Sequence, residues 1–310
     1  MVDPSSLIDP SPNQQIKTRS SWLKSLTITG IAIASSYSLI CAGLWFGQTK
    51  LIFKPTRVIE NTPAKYQAKY EDVLIPVISE NGNTENIHGW WIPNLDQAKL
   101  PLAEQRVILY LHGNAKNVGA NAKHANRLKN FGFSVLVIDY RGYGKSSGND
   151  PTESSVYADA QAAWDYLLKQ GYQPQQIIVY GHSLGGAIAI NLISNQQNKT
   201  ANAKGLIIDG SFTSIVDMAS LDPKYRIFPI NLLIHQNFDS ISKVSSIKSP
   251  ILYIHGTADE VIPASMSQAL YNATTAPKQL LLVPNAGHNN TASTNETLYA
   301  NAIRQFFLKP

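Results

Sequence analysis

The chain has 310 residues, of which 44% are hydrophobic and 15% are charged, so it has enough apolar material for a large core. The formal net charge is +5, but no Lys/Arg run or basic stripe with interleaved aromatic residues indicates nucleic-acid binding. Cys41 is the one cysteine, which excludes intrachain disulfides and any multi-cysteine metal site.

The N-terminal region combines a polar segment with an apolar one. Residues 1–25 are rich in Ser, Pro, Asn and Gln and are predicted to be disordered. Residues 26–46 carry no charge and are just long enough to cross the hydrocarbon core of a bilayer. Trp22 and Trp45 lie near its two ends, where indole rings favour the interface. We therefore predict a single-pass membrane anchor. Basic residues flank it on both sides, so the side of the membrane that carries the rest of the chain stays open.

A cleaved signal peptide is the alternative for this segment. It fits less well because the preceding region is long, contains Asp3 and Asp9, and no small-x-small cleavage site follows before the folded region. Residues 47–70 are then predicted to form a tether.

Strand-like and helical segments alternate along residues 71–310. Strands are predicted at Asp72–Ile78, Ile87–Ile92, Val107–Leu111, Ser134–Tyr140, Gln176–Tyr180, Gly205–Asp209, Pro250–His255 and Gln279–Val283. Helices are predicted at Val118–Asn130, Ser154–Gln170, Leu184–Asn195, Ala264–Ala273 and Asn295–Leu308. The strands are near-continuous apolar runs, as strands covered on both faces require. The pattern predicts one α/β domain with a mostly parallel sheet flanked by helices.

One interval, residues 211–249, is longer than a single crossover helix needs. We interpret it as a small lid over the carboxyl edge of the sheet, where open α/β sheets bind ligands. A plain packed helix is the alternative. Phe228 and Leu232 supply apolar surface in this interval and are predicted to bind substrate.

The most informative motif is Gly-x-Ser-x-Gly at Gly181, Ser183 and Gly185. A β-branched run precedes it and a helix-compatible run follows, which is the context of a nucleophile elbow. Such a turn is so sharp that Ser183 must adopt a strained backbone conformation, and only small residues fit at the two glycine positions. The motif predicts Ser183 as a nucleophile.

A nucleophilic serine needs a base and a carboxylate that orients the base. His288 follows a small-residue loop after the last predicted strand and is the predicted base. Asp259 lies in the loop after the preceding strand and is the predicted acid. Glu260 is an alternative, although its longer side chain would hold an imidazole less rigidly, and Asp209 at the end of an earlier strand is another.

Acyl transfer also needs two donors for the oxyanion. The turn His112-Gly113 follows the third predicted strand and offers the backbone N–H of Asn114, while Leu184, next after Ser183, offers the second. Because these donors are backbone groups, the His112 side chain is interpreted as a buried, hydrogen-bonded turn residue. The scheme requires no metal and no cofactor.

From Leu51 to Phe307 the chain resembles the α/β-hydrolase superfamily, and within it the membrane-anchored serine hydrolases with a very small lid. The motifs that carry the resemblance are His112–Ala115, Asp139–Gly144, Gly181–Gly186, His255–Pro263 and Gly287–Asn289. It implies hydrolysis of an ester or thioester; members include acyl-protein thioesterases and lysophospholipase-like enzymes. The nearby anchor and the apolar side chains of residues 227–234 predict a small-molecule or lipid-type acyl substrate. A serine peptidase of the same fold and a non-catalytic membrane-bound interaction protein are the alternatives.

Overall fold

The computed structural model describes residues 12–196 and 202–308. The chain divides after Gly47 into two compact units, and each is described by itself.

The first unit contains one long helix, α1 (Pro12–Phe46). Its part Ser21–Phe46 is, among the described residues, the one helix whose length and composition suit a membrane span, although a signal sequence would have the same properties. Because no Gly or Pro interrupts residues 13–25, the helix extends through most of the segment that was predicted to be disordered. Residues 1–11 of that segment lie outside the described residues.

The second unit is built on an eight-stranded sheet. Its strands, in spatial order, are β10 (Lys278–Val283), β9 (Ile251–Gly256), β8 (Gly205–Asp209), β7 (Ile177–His182), β4 (Val107–Leu111), β6 (Ser134–Ile138), β3 (Thr84–Ile92) and β2 (Glu71–Ile78). Strands β2 and β3 are antiparallel to their neighbours, and the other six run parallel. The parallel strands therefore present their carboxyl ends along one edge, where their following loops meet.

Helices cover both faces of this sheet. The longer ones are α3 (Val118–Asn130), α4 (Glu153–Lys169), α5 (Leu184–Gln196), α9 (Ala264–Ala273) and α11 (Glu296–Phe307), with a single turn, α10 (Thr291–Thr294), before the last. Successive strand residues point to opposite faces: Leu109 packs in the core with α4, α5 and α9, whereas Ile108 packs in the core with α3 and α11. All five residues of β4 are buried, which explains its uninterrupted apolar sequence.

The predicted fold class is confirmed in its main features: a mostly parallel sheet, helices on both faces, and the eight predicted strands in one sheet. Strand and helix ends differ from the prediction by at most three residues. The antiparallel pair at one end corresponds to the two initial strands, which have no helix between them and so can pair as a hairpin.

The predicted tether, residues 47–70, has regular elements of its own in the structure. Helix α2 (Gln48–Ile52) is followed by β1 (Lys54–Pro55), which pairs in parallel with β5 (Ala115–Lys116). Phe53 between them is only 2% exposed and belongs to the core. From Gln48 onward this segment is part of the second unit, and its Phe53 side chain is buried and its backbone is paired.

The predicted lid interval contains three short helices: α6 (Ile215–Leu221), α7 (Ile230–Leu233) and α8 (Ile241–Val244). Val244 of α8 is buried in the core, so this end of the interval is packed, and the lid stays a prediction. The excursion, residues 215–234, has exposed apolar side chains at Ile227 and Leu232.

Candidate active site

The turn between β7 and α5 has the geometry of a nucleophile elbow. Ser183 has a φ angle of 55°, in the left-handed region that side chains rarely adopt, and its N–H donates to the carbonyl oxygen of Asp209 at 2.9 Å. A Cβ atom at Gly181 would collide with the carbonyl oxygen of Gly185, and one at Gly185 would collide with that of Leu111. Neighbouring backbone atoms thus occupy the space that a side chain would need at these two positions, so both must be glycine.

Three side chains meet at the carboxyl edge of the sheet. Nε2 of His288 lies 3.1 Å from Oγ of Ser183, and Nδ1 of the same ring lies 2.8 Å from Oδ2 of Asp259. A carboxylate can only accept, so Nδ1 carries the proton and donates it to Asp259. The lone pair on Nε2 is then available to accept the proton of the Ser183 hydroxyl, and Ser183 itself is 8% exposed.

The Asp259 carboxylate is held from several directions. Oδ1 accepts hydrogen bonds from the N–H groups of Val261 at 2.8 Å and Ile262 at 2.9 Å. Oδ2 lies 3.2 Å from Nε2 of His255 in addition to its bond with His288. Burial raises the pKa of Asp259, but the hydrogen bonds from His255, His288 and Ile262 outweigh it and hold that pKa well below its usual range. The carboxylate is therefore ionised and fixed in place.

The alternative acids lie elsewhere. The Asp209 carboxylate is buried and accepts hydrogen bonds from the hydroxyls of Tyr180 at 3.0 Å, Tyr299 at 2.9 Å and Thr291 at 3.0 Å. Glu260 is exposed. Of the three carboxylates considered, the structure brings Asp259 to His288.

Two histidines near this group were not singled out by the sequence. His255 is completely buried, with Nδ1 2.7 Å from Oγ of Ser267 and Nε2 2.8 Å from the carbonyl oxygen of Ile262. That carbonyl requires the proton on Nε2, which therefore also points toward Asp259. His182 lies in the elbow, and its Nε2 is 3.0 Å from the carbonyl oxygen of His288. Its pKa is lowered by burial and by the nearby His288.

The sequence carried only a weak signal for these two residues. His182 occupies a variable position of the elbow motif, and His255 is the fifth residue of a buried strand, where a polar side chain calls for a partner. The sequence shows where the two histidines lie relative to the strands, but it does not show their hydrogen-bond partners, which lie in other segments of the chain.

The predicted oxyanion donors belong to two segments next to Ser183, and their role stays a prediction. A Cβ atom built on Gly113 would lie 3.3 Å from Cβ of Ser183, so the turn that carries Asn114 passes beside the serine. Leu184 is the first residue of α5, and the first N–H groups of a helix have no intrahelical acceptor. The His112 ring is buried, with Nε2 3.2 Å from Oδ1 of Asp139, as expected for a hydrogen-bonded turn residue.

The predicted substrate-binding residues lie on the excursion. Leu232 is 76% exposed in α7, and Phe228 just before that helix is partly buried. Gln48 fastens the end of the excursion, because its Nε2 donates to the carbonyl oxygen of Leu233 at 2.7 Å and its Oε1 accepts from the N–H of His235 at 3.1 Å. The substrate-binding role of Phe228 and Leu232 stays a prediction.

Within residues 12–196 and 202–308, no group of three or more His, Cys, Asp or Glu side chains is arranged to hold a metal ion.

Sequence comparison places this chain among known proteins. Residues 103–233 match the family profile described as serine aminopeptidase S33 (Hydrolase_4). The chain is 33% identical over 249 residues to alpha/beta hydrolase domain-containing protein 17B of Xenopus laevis, a match that covers 80% of each chain. It is 29% identical over 281 residues to an uncharacterized protein of Mycobacterium tuberculosis, covering 89% of this chain and 94% of the other.

Structure comparison gives likenesses over most of the chain. The esterase Pf2001 of Pyrococcus furiosus superposes with a TM-score of 0.64 at 23% identity, covering 83% of this chain and 98% of the esterase. An alpha-beta hydrolase from Vibrio vulnificus superposes with a TM-score of 0.64 at 20% identity, covering 86% and 92%. At these identities the likeness establishes a shared fold.

Proposed function

The chain belongs to the α/β-hydrolase superfamily and has its fold, and on that premise we propose that it is a serine hydrolase that cleaves carboxylic ester or thioester bonds. One observation carries the proposal: a continuous path of hydrogen bonds runs from Oγ of Ser183 through the ring of His288 to the ionised carboxylate of Asp259. Hydrolase activity accords with membership of this superfamily, and the serine mechanism is what the proposal adds to it.

In the proposed reaction, the hydroxyl of Ser183 attacks the acyl carbonyl carbon while Nε2 of His288 takes the hydroxyl proton. Asp259 keeps the proton of the ring on Nδ1 and stabilises the imidazolium that forms. The N–H groups of Asn114 and Leu184 bind the oxyanion. The imidazolium then protonates the leaving alcohol or thiol, and the C–O or C–S bond breaks. A water molecule, deprotonated by His288, hydrolyses the acyl-enzyme by the same steps and restores the serine.

The test is covalent labelling with a fluorophosphonate probe, which phosphonylates an activated serine. We expect the wild-type protein to be labelled and Ser183→Ala to give no signal, because the labelled atom is Oγ of Ser183. Heat-denatured wild type serves as the control for non-specific reaction. Strong labelling of Ser183→Ala would contradict the assignment of the nucleophile. A wild type that is folded but never labelled would favour the non-catalytic alternative, an interaction protein on a hydrolase fold.

The substrate class is a second step of the proposal: an acyl-bearing molecule at a membrane. Helix Ser21–Phe46 is long enough to cross a bilayer and is proposed as an uncleaved anchor, with a small-molecule or lipid-type acyl substrate within reach. The exposed apolar side chains of the excursion support an acyl-binding surface, since each buried methylene contributes about 0.8 kcal/mol. Several methylenes would therefore favour long acyl chains by orders of magnitude in binding.

A series of p-nitrophenyl esters and acyl thioesters of increasing chain length tests this substrate class. We expect kcat/KM to rise from acetyl to medium or long acyl chains, and Phe228→Ala to reduce this gain about tenfold or more at the long end, from lost apolar burial. Leu74→Ala is the matched control, because Leu74 is an apolar side chain 63% exposed on the edge strand β2. A profile that peaks at acetyl or propionyl and is unchanged in Phe228→Ala would contradict acyl binding by the excursion.

A serine peptidase is the remaining enzymatic candidate, and the description of the matching family favours it. Amino-acyl p-nitroanilides added to the same series separate the two activities. Turnover of the anilides above that of the esters would favour the peptidase, because peptide-like amides are intrinsically the less reactive substrates.

A further inference from the structure

The segment between α1 and the second unit's main sheet is bonded to the turn that carries Asn114. The backbone N–H of Lys54 donates to the carbonyl oxygen of Asn114 at 2.9 Å. The Asn114 side chain returns the contact, because its Nδ2 donates to the carbonyl oxygen of Ile52 at 2.7 Å. The pairing of β1 with β5 continues this contact by two residues along the chain.

These bonds act on the residue that supplies the proposed oxyanion donor. The Asn114 carbonyl also accepts from the hydroxyl of Tyr143 at 2.7 Å. On the other side of the residue, Nδ1 of His112 lies 2.7 Å from the carbonyl oxygen of Gly113, which shares a peptide plane with the Asn114 N–H. With its side chain, its carbonyl and the preceding peptide all held, Asn114 has little freedom to rotate its backbone N–H.

The segment is itself held in place by buried side chains. Between Ile52 and Lys54, the ring of Phe53 is 2% exposed and stacks edge-on with Phe238 at 6.1 Å. Five residues before Phe53, Gln48 is 5% exposed and its side chain donates to the carbonyl oxygen of Leu233 at the end of the excursion. The segment is thus immobilised by the core and bonded both to the turn that carries Asn114 and to the end of the excursion.

We propose that Ile52–Lys54 is a positioning segment for the oxyanion hole: its backbone fixes Asn114 so that the Asn114 N–H points at the site where the oxyanion forms. Lys54 acts through its N–H and Ile52 through its carbonyl, so neither side chain touches substrate. The inference rests on the proposed serine mechanism and adds to it a second role for the chain that leads from α1, which was predicted to be only a tether.

The test compares two substitutions at one position in the full-length, detergent-solubilised protein. Lys54→Pro removes the N–H that donates to Asn114, whereas Lys54→Ala keeps it, and the Lys54 side chain is exposed. We expect Lys54→Pro to lower kcat by about 10- to 100-fold with KM within about threefold of wild type, because only transition-state stabilisation is lost. Lys54→Ala should stay within about twofold of wild type in both constants.

A transition-state analogue provides a readout that a general loss of structure would not give. A trifluoromethyl ketone with the acyl chain of the substrate adds to the serine and forms an oxyanion, so its affinity for Lys54→Pro should fall by the same factor as kcat/KM. If Lys54→Pro has an altered melting temperature, Asn114→Ala replaces it. That variant retains the backbone N–H of residue 114, loses the bond to Ile52, and should show the same fall in kcat at constant KM.

Three outcomes decide the matter. Equal kinetics for Lys54→Pro, Lys54→Ala and wild type, with Asn114→Ala also unchanged, would overturn the inference while leaving Ser183-dependent turnover intact. A parallel loss of kcat and analogue affinity supports it. A wild type without Ser183-dependent turnover would overturn the proposed function, and the inference with it.

Discussion

Ser183→Ala and His288→Ala are each expected to lower kcat by about 10⁴- to 10⁶-fold, the range found when members of such groups are removed. The reason lies in the geometry: Oγ of Ser183 lies 3.1 Å from Nε2 of His288, so in the proposed mechanism removal of either group leaves the other without its function. Steady-state kinetics on the best ester, with KM measured separately, gives the value.

The double variant Ser183→Ala/His288→Ala distinguishes cooperation from independent effects. It should be less than about tenfold slower than the worse single variant, because a base without a nucleophile has nothing to activate. Ser246→Ala, at an exposed serine, is the control for the loss of a hydroxyl. Multiplying effects in the double variant would contradict a shared mechanism.

Folding should be unaffected in these variants. Alanine at residue 183 keeps the left-handed φ of 55°, so the backbone strain of the elbow is neither added to nor relieved. Melting temperatures close to that of the wild type would show that the kinetic losses come from the chemistry.

The sheet was predictable from the sequence because its signal is local. Nearly every residue is buried in β4, β6, β7, β8 and β9. Each of these strands can therefore be recognised in the sequence as a short apolar run. The elbow was predictable for a similar reason, since the two glycines and the strained serine lie within five residues of one another. The order Ser183, Asp259, His288 along the chain, with each residue after a predicted strand, led to the prediction of the acid and the base.

Contacts between segments far apart in sequence were not predictable. Gln48 meets Leu233 across 185 residues, and Asn114 meets Ile52 across 62. Nothing in Gln48-Thr49-Lys50-Leu51-Ile52 distinguishes a packed helix from a polar tether, because the segment is short and its hydrogen-bond partners lie far away in the sequence. The same holds for His255, whose relation to Asp259 depends on a loop that folds back onto the strand.

Asp259→Asn is expected to lower kcat by about 10³- to 10⁴-fold, whereas Asp209→Asn should leave kcat within about threefold of wild type. An asparagine at residue 259 can turn its NH₂ group toward Nδ1 of His288, which then accepts, and the ring proton moves to Nε2. A ring with its proton on Nε2 cannot accept one from Ser183. Measuring kcat for both variants, with the same substrate and a folding control, compares the two carboxylates directly.

Asp209→Asn should affect stability rather than turnover. The buried Asp209 carboxylate accepts from Tyr180, Tyr299 and Thr291, and an amide offers only one accepting oxygen, so Asp209→Asn should cost about 1–3 kcal/mol in the free energy of unfolding. If instead Asp209→Asn were inactive and Asp259→Asn retained its turnover, Asp209 would be the acid.

Acid pH tests the ionised state of Asp259. The folded-state pKa of Asp259 is lowered, so its ionised form stabilises the native state above the ordinary pKa of 3.8 and that contribution is lost as the pH falls below it. Asp259→Asn should therefore lose less stability than the wild type between pH 5 and pH 3, as denaturant unfolding at each pH would measure. An unchanged slope would mean that the hydrogen bonds from His255, His288 and Ile262 do not hold the carboxylate in its ionised form.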